Sequence, residues 1–588
     1  MDSICTLPAP PHTLLEHDDE RLVLAFSAGL AVLEDGKLDF LAPTSIDGAA
    51  RGPDGRLYCT RGEQILCFDL ERGGGPEDIT AAFAGPPRGS GQVVCAPDGN
   101  LWVEGCAKYR RLDGTFEAAP ACPFATWMPI PCGQDIYGNF WSLADGDCGR
   151  QVLVLPANAP AQWQAAGLEA GQWDYLLTDS VGFIWVVGIA GWRRFCPRQA
   201  EAGWQVLRDN LPQSAVTAAG LSPADLALVA CASGALLELD TNAAGAVLAH
   251  SLATLPKAAR CAHTDRHGAI WAATEDALYY REAAADAWQR NWEKMRGRLP
   301  GGGNHDVFSA PLKDKLYIGG GWAGAWGLPS RDHVCDELFA FDRQSEYWEV
   351  ASRMYLPRRY NGTAELDGRI WVVGGETRIV ERGGEGQVLY LVDIYDPVSA
   401  SWSAGPSLNL ARTDPFVVTC KDRIYALGGA GHNSGPKLDT VESIGPGETA
   451  WRFETPLPEP TRQGHGCTLD GIIYCVSIDG VFAFDTASGR WDEDLPQPGA
   501  IGQGPLAAAY RGEVWVIGGY EDRRCRCYDP ETRTWRAGPD LPTEQSWGAA
   551  AVMNDQLFIT GGAHFSQQHN TVVFDDRTYA LREGAGGR

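Results

Sequence analysis

The chain lacks any run of lysine and arginine residues. It contains 49 lysine and arginine residues against 75 aspartate and glutamate residues, and its formal net charge is -26. A chain this acidic repels nucleic-acid phosphates unless it carries a local basic face. We therefore expect no nucleic-acid partner.

Long apolar stretches are absent too. No segment approaches the roughly 18 consecutive apolar residues of a membrane-spanning helix. The first residues, 1–5, show neither the basic nor the apolar part of a secretory signal. The 17 cysteines are odd in number and scattered through strand-like segments, a distribution that favours reduced thiols over a disulfide framework. We expect a cytoplasmic protein with no membrane partner.

A short phrase recurs through the second half: an apolar strand, a diglycine, an aromatic-Asp pair and a tryptophan. Such a repeat is one four-stranded sheet that must stack on its neighbours to bury both faces. The diglycines are Gly319/Gly320, Gly374/Gly375, Gly428/Gly429, Gly518/Gly519 and Gly561/Gly562, and Ile478-Asp479-Gly480 replaces the pair in one degenerate copy. The aromatic residues expected on outer strands are Trp348, Trp402, Trp451, Trp491, Trp535 and, in the last unit, Tyr579.

This pattern resembles the kelch repeat, and the resemblance covers nearly all of the second half. It implies a six-bladed β-propeller. The glycines are expected where the second strand of each blade ends, at positions that need positive φ or a close approach to a neighbouring blade.

In the first half, Asp-Gly turns recur, and each precedes a predicted strand that often has an aromatic residue near its start. Seven marks recur at about one blade length: Asp19, Asp54, Asp98, Asp135, Asp179, Asp225 and Asp265. Such turns are a hairpin signal, because glycine supplies positive φ without steric cost. The pattern resembles the propeller repeat in sensor regions of two-component regulators and predicts seven blades. The expected fold is all-β: a seven-bladed propeller over 1–295, followed by a six-bladed kelch propeller over 296–588.

In kelch proteins, the loops before each inner strand and after each diglycine meet at one mouth of the central channel. Arginine recurs in these loops although the chain is acidic, and planar guanidinium groups suit carboxylates or phosphates. The resemblance therefore implies a site for an anionic small molecule or an acidic peptide. The expected ligand-binding residues are Arg359, Arg412, Arg462, Arg378, Asn361, Trp322, Trp547 and Tyr520. The alternative is that each arginine pairs with a local acid such as Asp414 or Glu376 and only holds its loop.

Four of the 11 histidines also fall in these loops. They are His305, His432, His465 and His564. Three of them could meet a metal ion, but they come from different blades and no two share a short ligand spacing. We therefore predict neither a bound metal nor a cofactor.

The leading interpretation is a double-propeller binding protein whose kelch mouth holds the anionic ligand. The alternative is an enzyme in the same mouth, of isomerase, mutarotase, cyclase or lyase type, because acids and histidines could move protons there. Its candidate catalytic residues are Glu376, His465, His432 and Glu521. A metal-dependent oxidoreductase is a third, weaker possibility, and a purely structural scaffold would need mouth residues that all satisfy each other.

Overall fold

The structure is a computed structural model of the 588-residue chain. It describes all residues except 19–20, 43–44, 74, 84–86, 88–90, 105–106, 111–114, 118, 121, 123–131, 136–137, 157–161, 181, 198–202, 209–210, 223–224, 242–245, 283–290, 301–303, 324–332, 379–385, 433–434, 567–570 and 583–588. Within the described part there are 59 β-strands, and the one helix is a 3₁₀ turn at Thr80–Ala82. The prediction of an all-β protein is confirmed.

The chain divides into two compact units. The first comprises Met1–Ala285 with Ser566–Val573, and the second comprises Asp286–Phe565 with Phe574–Arg588. The first unit contains seven four-stranded antiparallel sheets, which are the predicted seven blades. Its strands are β1 (Asp2–Thr6), β2 (Pro11–Glu16), β3 (Leu22–Phe26), β4 (Gly29–Glu34), β5 (Lys37–Ala42), β6 (Gly48–Arg51), β7 (Leu57–Arg61), β8 (Gln64–Phe68), β9 (Glu77–Asp78), β10 (Val93–Cys95), β11 (Leu101–Val103), β12 (Ala107–Arg110), β13 (Thr115–Glu117), β14 (Gly133–Gln134), β15 (Phe140–Gly146), β16 (Gly149–Leu155), β17 (Gln164–Ala165), β18 (Trp173–Thr178), β19 (Ile184–Gly188), β20 (Gly191–Phe195), β21 (Gln205–Leu207), β22 (Val216–Leu221), β23 (Ala227–Cys231), β24 (Ala235–Thr241), β25 (Val247–Thr254), β26 (Cys261–Thr264), β27 (Ile270–Ala273) and β28 (Ala277–Arg281).

The turn aspartates of the first unit connect the first and second strands of their blades. Asp179 shows why the residue is needed: its Oδ1 accepts hydrogen bonds from the amides of Gly182 and Phe183, both at 2.9 Å. Its Oδ2 accepts one from Trp185 Nε1 at 2.8 Å. Asp135 and Asp265 bind Trp141 and Trp271 in the same way, whereas Asp19 lies outside the described residues.

The chain from residue 286 onward contains six four-stranded antiparallel sheets, which are blades one to six of the second unit, and three short sheets of two or three strands. Its strands are β29 (Trp292–Lys294), β30 (Asn304–His305), β31 (Ser309–Leu312), β32 (Lys315–Gly319), β33 (Trp322–Ala323), β34 (His333–Val334), β35 (Glu337–Asp342), β36 (Tyr347–Arg353), β37 (Gly362–Leu366), β38 (Arg369–Val373), β39 (Glu376–Arg378), β40 (Gly386–Val388), β41 (Val392–Asp396), β42 (Ser401–Ala404), β43 (Phe416–Cys420), β44 (Arg423–Leu427), β45 (Val441–Ile444), β46 (Arg452–Phe453), β47 (Gly464–Leu469), β48 (Ile472–Ser477), β49 (Gly480–Asp485), β50 (Arg490–Trp491), β51 (Leu506–Tyr510), β52 (Glu513–Gly519), β53 (Asp522–Asp529), β54 (Thr534–Ala537), β55 (Ala549–Met553), β56 (Gln556–Thr560), β57 (Ala563–Ser566), β58 (Thr571–Phe574) and β59 (Thr578–Leu581).

The inner strands of the second unit form a closed ring in the order β31, β37, β43, β47, β51, β55 and back to β31. Apolar residues of successive blades interlock between the sheets. Tyr317 and Leu338 of blade one, for example, share a core cluster with Ile370 and Tyr395 of blade two. The ring confirms the predicted six-bladed propeller.

The last blade of each unit is completed by a strand from the unit's beginning. In the first unit β1 pairs with β28, and in the second β29 pairs with β59. Residues 292–294 therefore pair within the second unit, whereas the sequence placed the boundary between residues 295 and 296. Tyr579 lies on the third strand of blade six rather than the outer one, because β29 and its buried Trp292 occupy the outer position.

The glycine pairs lie at the end of the second strand of their blades or directly after it, as predicted, with one shift of register. In blade one the two positive φ values belong to Gly320 and Gly321, at 70° and 104°, rather than to Gly319 and Gly320. The second glycine of four pairs donates its amide hydrogen to a carbonyl of the next blade's entering loop. The bonds are Gly321 to Arg358, Gly375 to Arg412, Gly429 to Thr461 and Gly519 to Gln545, each at 2.9 Å. Positive φ and close approach to the neighbouring blade are thus both required.

The outer tryptophans join adjacent blades through their indole N–H groups. Each donates a hydrogen bond to the preceding blade or the segment that follows it. The bonds are Trp348 to Thr578 Oγ1 (2.7 Å), Trp402 to Ser352 Oγ (3.0 Å), Trp451 to the carbonyl of Pro406 (2.8 Å), Trp491 to that of Thr455 (3.3 Å) and Trp535 to that of Pro496 (2.8 Å). In five of the six blades, a tryptophan therefore connects adjacent blades, as predicted.

Candidate functional site

The two sets of loops that the sequence assigned to one mouth meet through the main chain. Arg359 and Glu376 exchange backbone hydrogen bonds of 2.9 and 2.8 Å. The corresponding residues of blade three, Thr413 and Ala430, do the same. Side chains of the entering loops and of the diglycine loops are therefore held beside one another at this end of the second propeller.

One residue before each inner strand has left-handed backbone geometry. These residues are Asp306 (φ 59°), Tyr360 (φ 52°), Asp414 (φ 53°), Gln463 (φ 60°), Gly504 (φ 60°) and Trp547 (φ 55°). Amide hydrogens connect several of them between blades: Asp414 donates to the carbonyl of Tyr360, and Asp306 to that of Trp547, both at 2.9 Å. A non-glycine residue with positive φ is strained and persists only where its surroundings hold it. Left-handed main chain in the loops that enter blades one, two and three thus carries Asp306, Tyr360 and Asp414.

Arg359 lies at the centre of the polar contacts in this mouth. Its side chain is buried, and its guanidinium carbon is 4.2 Å from the ring centre of Trp322 and 4.7 Å from that of Tyr360. Nη2 donates a hydrogen bond to Glu376 Oε1 at 3.1 Å. Nε and Nη1 have no hydrogen-bond partner among the described residues. Burial opposes the charge, but Tyr360, Asp306 and Glu376 outweigh it and raise the pKa of Arg359.

Arg412 is placed differently from Arg359, although it comes from the same kind of loop. It is completely buried and pairs with Glu442 at 2.5 Å. Its Nη1 also donates to the carbonyls of Thr440 and Gly428 at 3.0 and 3.1 Å. These contacts anchor the loop between blades, so we leave Arg412 out of the candidate site. Arg412 therefore matches the alternative stated in the sequence analysis, in which an arginine pairs with a nearby acid and only holds its loop. The acid is Glu442.

The other two predicted arginines are Arg462 and Arg378. Arg462 is half-buried, and its charge acts on the buried carboxyl of Asp414. The backbone of Arg378 lies in β39, next to Glu376, while its side chain falls outside the described residues. The structure therefore brings Arg462 near the Arg359 cluster, and the prediction for Arg378 is left as a prediction.

Two acids act electrostatically on Tyr360. Burial, followed by the charges of Asp306 and Asp414, raises the pKa of Tyr360. Burial, followed by repulsion from Asp306, raises the pKa of Asp414 well above its usual range, against the opposing charges of Arg462 and Arg359. Burial and the neighbouring acids therefore favour the protonated form of the Asp414 carboxyl.

The mouth histidines do not form a metal site within the described residues. There, the one group of three metal-ligating side chains is His17, Asp18 and Glu71 of the first unit, whose two carboxylates already pair with Arg21. His432 is exposed, and His564 is half-buried.

The two buried mouth histidines have separate environments. His465 Nε2 donates to the carbonyl of Gly548 at 2.8 Å, and its ring stacks on Phe308. Burial lowers the pKa of His465 to about 4 despite this hydrogen bond. His305 stacks on Phe574 with ring centres 5.4 Å apart.

The candidate catalytic residues are not assembled into one group. Glu376 is engaged by Arg359, His465 by Gly548, and Glu521 and His432 are exposed. An enzyme in this mouth is still a prediction from the sequence alone.

Three other predicted ligand residues line the mouth in different ways. Tyr520 and Trp547 are half-buried neighbours whose ring centres lie 6.1 Å apart. Asn361 is buried and donates from Nδ2 to the carbonyl of Gly319 at 2.9 Å, while its Oδ1 accepts no hydrogen bond from a described residue. Asn361 thus joins the loop that enters blade two to the end of the second strand of blade one.

The structure adds Asp306 and Tyr360 as functional candidates and joins to them Asp414, which the sequence analysis named only as an acid that could pair with an arginine. Their signal was positional, since each stands two or three residues before an inner strand. No pattern in the sequence indicated that the three would act on one another. Among the described residues, no helix has the length and apolar character needed to cross a membrane.

Comparison with known proteins agrees with this fold. The family model described as "Kelch motif" matches residues 357–409 and 503–542. Kelch-like protein 25 of Xenopus tropicalis is 27% identical over 240 residues, which are 39% of each chain. Kelch-like protein 35 of Mus musculus is 27% identical over 269 residues, covering 44% of this chain and 43% of its own. Beta-scruin of Limulus polyphemus is 25% identical over 247 residues, 40% of this chain and 22% of its own.

This chain thus spans less than half the length of these curated relatives. The solved structure titled "Structure of YjhT" aligns with 47% of this chain and 95% of its own at 16% identity, with a TM-score of 0.39. The repeated diglycine, aromatic-Asp and tryptophan pattern, the closed six-bladed ring and the sequence matches lead to one conclusion. The second half of this chain is a kelch-repeat β-propeller.

Proposed function

We propose that the second propeller binds a small molecule with a carboxylate or phosphate group in its mouth, and that Arg359 receives that group. The observation that carries this proposal is the state of the Arg359 guanidinium. It is buried, it donates to Glu376 through Nη2, and its Nε and Nη1 have no partner among the described residues. Leaving donors of a buried charged group without acceptors is costly, and a bound oxyanion offsets that cost.

The surroundings of Arg359 favour a planar anionic group. Trp322 and Tyr360 lie within 4.7 Å of its guanidinium carbon and restrict its orientation. An oriented guanidinium loses little side-chain entropy when it binds a carboxylate or phosphate. Arg462 adds a second positive charge close to the same cluster.

A small ligand suits this mouth better than an acidic peptide. Asp306, Glu376 and Asp414 all act electrostatically within the cluster that contains Arg359. An acidic peptide would bring several carboxylates toward these three acids, and like charges in a partly desolvated site repel strongly. A small ligand can place one anionic group on Arg359 without bringing further carboxylates toward the three acids.

The test is titration calorimetry of the full chain with propionate, succinate, inorganic phosphate and a hexaglutamate peptide. We expect a small anion to bind, and Arg359→Ala to weaken its binding by at least about 30-fold, the equivalent of roughly 2 kcal/mol. Arg359→Lys should recover only part of the affinity, because an ammonium group does not reproduce the guanidinium fork.

The matched control is Arg353→Ala, since Arg353 is 62% exposed and pairs with Asp336 at the surface. This variant should bind as the wild type does. Equal losses in both variants, or tight binding by Arg359→Ala, would contradict the proposal. Binding of the hexaglutamate peptide alone would replace the small ligand with an acidic peptide.

A further inference from the structure

The first unit contains a cavity of about 390 Å³ between two of its sheets. One sheet consists of β2 to β5, and the other is the ring-closing sheet of β26, β27, β28 and β1. Leu22 and Leu33 from the first sheet and Ile4 from the second form its apolar wall. A cavity of this size suits a small molecule, because ligand pockets typically span about 300 to 1,000 Å³.

Two aromatic side chains form a corner of this cavity. Trp271 on β27 and Tyr280 on β28 both line it, with ring centres 4.7 Å apart and ring planes inclined at 54°. The Trp271 ring is held in place, because its Nε1 donates a hydrogen bond to Asp265 Oδ2 at 2.9 Å. Aromatic rings attract a positive charge that lies within about 6 Å of their centres. The corner therefore offers aromatic surface to a cation.

The polar wall of the cavity carries an excess of negative charge. The acids that line it are Glu16, Asp18, Asp35 and Asp265, and the lining arginine is Arg21. Arg21 pairs with both Asp18 and Glu71, so this group of three retains one negative charge. Asp35 and Asp265 form no ion pair with a residue in the described part of the chain. The wall therefore favours a positively charged occupant.

The oxygens of three lining acids already accept hydrogen bonds. Arg266 donates to both oxygens of Glu16, from its backbone amide at 2.9 Å and from Nε at 2.5 Å. Arg21 donates to both oxygens of Asp18 in the same manner, at 2.8 and 2.6 Å. Two amides of the turn donate to Asp265 Oδ1 at 3.0 and 2.9 Å, while Oδ2 accepts the indole N–H. These acids supply negative potential, but their oxygens are engaged elsewhere.

We propose that this cavity binds a small quaternary ammonium compound. A quaternary ammonium group carries a positive charge without any N–H donor, so it needs no hydrogen-bond acceptor in the wall. A primary ammonium group has three donors and would need acceptors that these carboxylates already give to other groups. The methyl groups pack against Leu22 and Leu33, and the charge lies against the corner of Trp271 and Tyr280. This site is separate from the one proposed for Arg359.

The experiment compares four probes that differ in charge and in hydrogen-bond donors. Choline, tetramethylammonium, ethanolamine and 3,3-dimethylbutan-1-ol are titrated into the full chain by calorimetry at low ionic strength, because salt screens exposed charges. The last probe has the shape of choline but no charge, and ethanolamine is its primary-ammonium counterpart. Choline or tetramethylammonium should bind at least about ten-fold more tightly than either of the other two.

Tyr280→Leu removes one ring of the aromatic corner. It should weaken choline binding by about ten-fold, since cation–π contacts in desolvated sites have this magnitude. Tyr279→Leu is the matched control, because Tyr279 is the adjacent half-buried residue of β28 and does not line the cavity. Neighbouring residues of a strand point to opposite faces, so this variant should bind choline as the wild type does.

Asp35→Asn tests the charge of the wall without disturbing the packing, because Asp35 is exposed. Asparagine also tolerates the left-handed geometry at this position, where φ is 49°. The variant should weaken choline binding by about three-fold at low salt, and the difference should disappear at high salt. Asp39→Asn, at an exposed position of β5 that does not line the cavity, should bind as the wild type does.

Each other outcome contradicts the proposal in a recognisable way. Equal binding of 3,3-dimethylbutan-1-ol and choline would show that charge has no part in recognition. Tighter binding of ethanolamine than of choline would replace the quaternary group with a hydrogen-bonding amine. Choline binding that neither Tyr280→Leu nor Asp35→Asn weakens would lie outside this cavity. If neither choline nor tetramethylammonium binds, the proposal is refuted.

Discussion

At the scale of single residues, one carboxylate can determine a whole turn. Asp179 receives two backbone amides and the Trp185 indole on its two oxygens, and it is 3% exposed. Replacing it leaves the Phe183 amide and the Trp185 indole without this acceptor, whereas the Gly182 amide keeps the carbonyl of residue 179 at 3.2 Å. We expect Asp179→Ala to lower the free energy of unfolding by about 2 to 5 kcal/mol, because each buried unsatisfied donor costs about 1 to 3 kcal/mol and part of that is regained by relaxation.

Denaturant unfolding of the full chain, monitored by tryptophan fluorescence, measures this effect. Asp98→Ala is the comparison, since Asp98 is half-buried and, among the described residues, its two oxygens accept only from Asn100. It should cost about 1 kcal/mol. Equal effects of the two changes would show that the tryptophan contact adds nothing to the turn.

His465 should make stability depend on pH in a defined window. Burial lowers its pKa in the folded protein to about 4, while the unfolded chain binds the proton at about 6.5. The contribution is therefore fully present above about pH 6.5 and is lost progressively as the pH falls toward 4. The total loss is about 3 kcal/mol, at roughly 1.4 kcal/mol per pH unit.

The measurement is the difference in unfolding free energy between wild type and His465→Gln across that range. A glutamine amide can still donate to the carbonyl of Gly548 but does not titrate. Because the carboxylates titrate in both proteins, subtracting the curves isolates the histidine. Parallel curves would mean that His465 is not buried in its neutral form.

At the scale of elements, the ring-closing strand determines where the second propeller begins. Trp292 on β29 is completely buried in the core of blade six, beside Tyr579 and Leu581. A fragment of residues 286–588 retains this strand, whereas one of residues 296–588 loses it and exposes the edge of β59. Loss of a buried tryptophan costs about 3 to 5 kcal/mol, and an unpaired edge promotes association.

We therefore expect the longer fragment to unfold at a higher temperature and to elute as a monomer in gel filtration. The shorter fragment should unfold earlier and form oligomers. We expect Trp292 to account for most of this difference. The longer fragment with the substitution Trp292→Ala should therefore resemble the shorter fragment in stability. Indistinguishable melting curves for the two fragments would place the boundary at residue 296.

At the scale of the whole molecule, the cysteines contribute packing rather than cross-links. All 16 cysteines in the described part of the chain are free thiols, and several lie in blade cores, such as Cys475, Cys525 and Cys527. A reductant should leave the melting temperature unchanged, because it removes no covalent constraint on the unfolded chain. Thiol titration in denaturant without reductant should find all 17 cysteines reactive. A lower count together with a drop in melting temperature on reduction would indicate disulfides.

The repeat patterns predicted both architectures, since each repeat encodes local chemistry. The Asp-Gly turns, the glycine pairs and the outer tryptophans act through neighbours that are near in sequence or exactly one blade away. Such contacts recur with the period of the sequence and can be read from it. The ring-closing strands β1 and β29 could not be read in this way, because each pairs with a strand about 280 residues away and carries no copy of the motif.

The sequence by itself determined the fold class and the loops that surround the mouth. Only the tertiary structure decided which charges in those loops are used. Arg412 corresponds to Arg358, and the two are paired with Glu442 and Asp393 on the third strand of their own blades. Arg359 stands one residue later in its loop and retains donors without a hydrogen-bond partner among the described residues. The physical reason is that pairing of buried charges depends on acids 30 to 35 residues further along the chain, whose side-chain positions the one-dimensional pattern does not contain. The same holds for Asp306 and Asp414, which are 108 residues apart in the sequence and both act on Tyr360 only in the folded propeller.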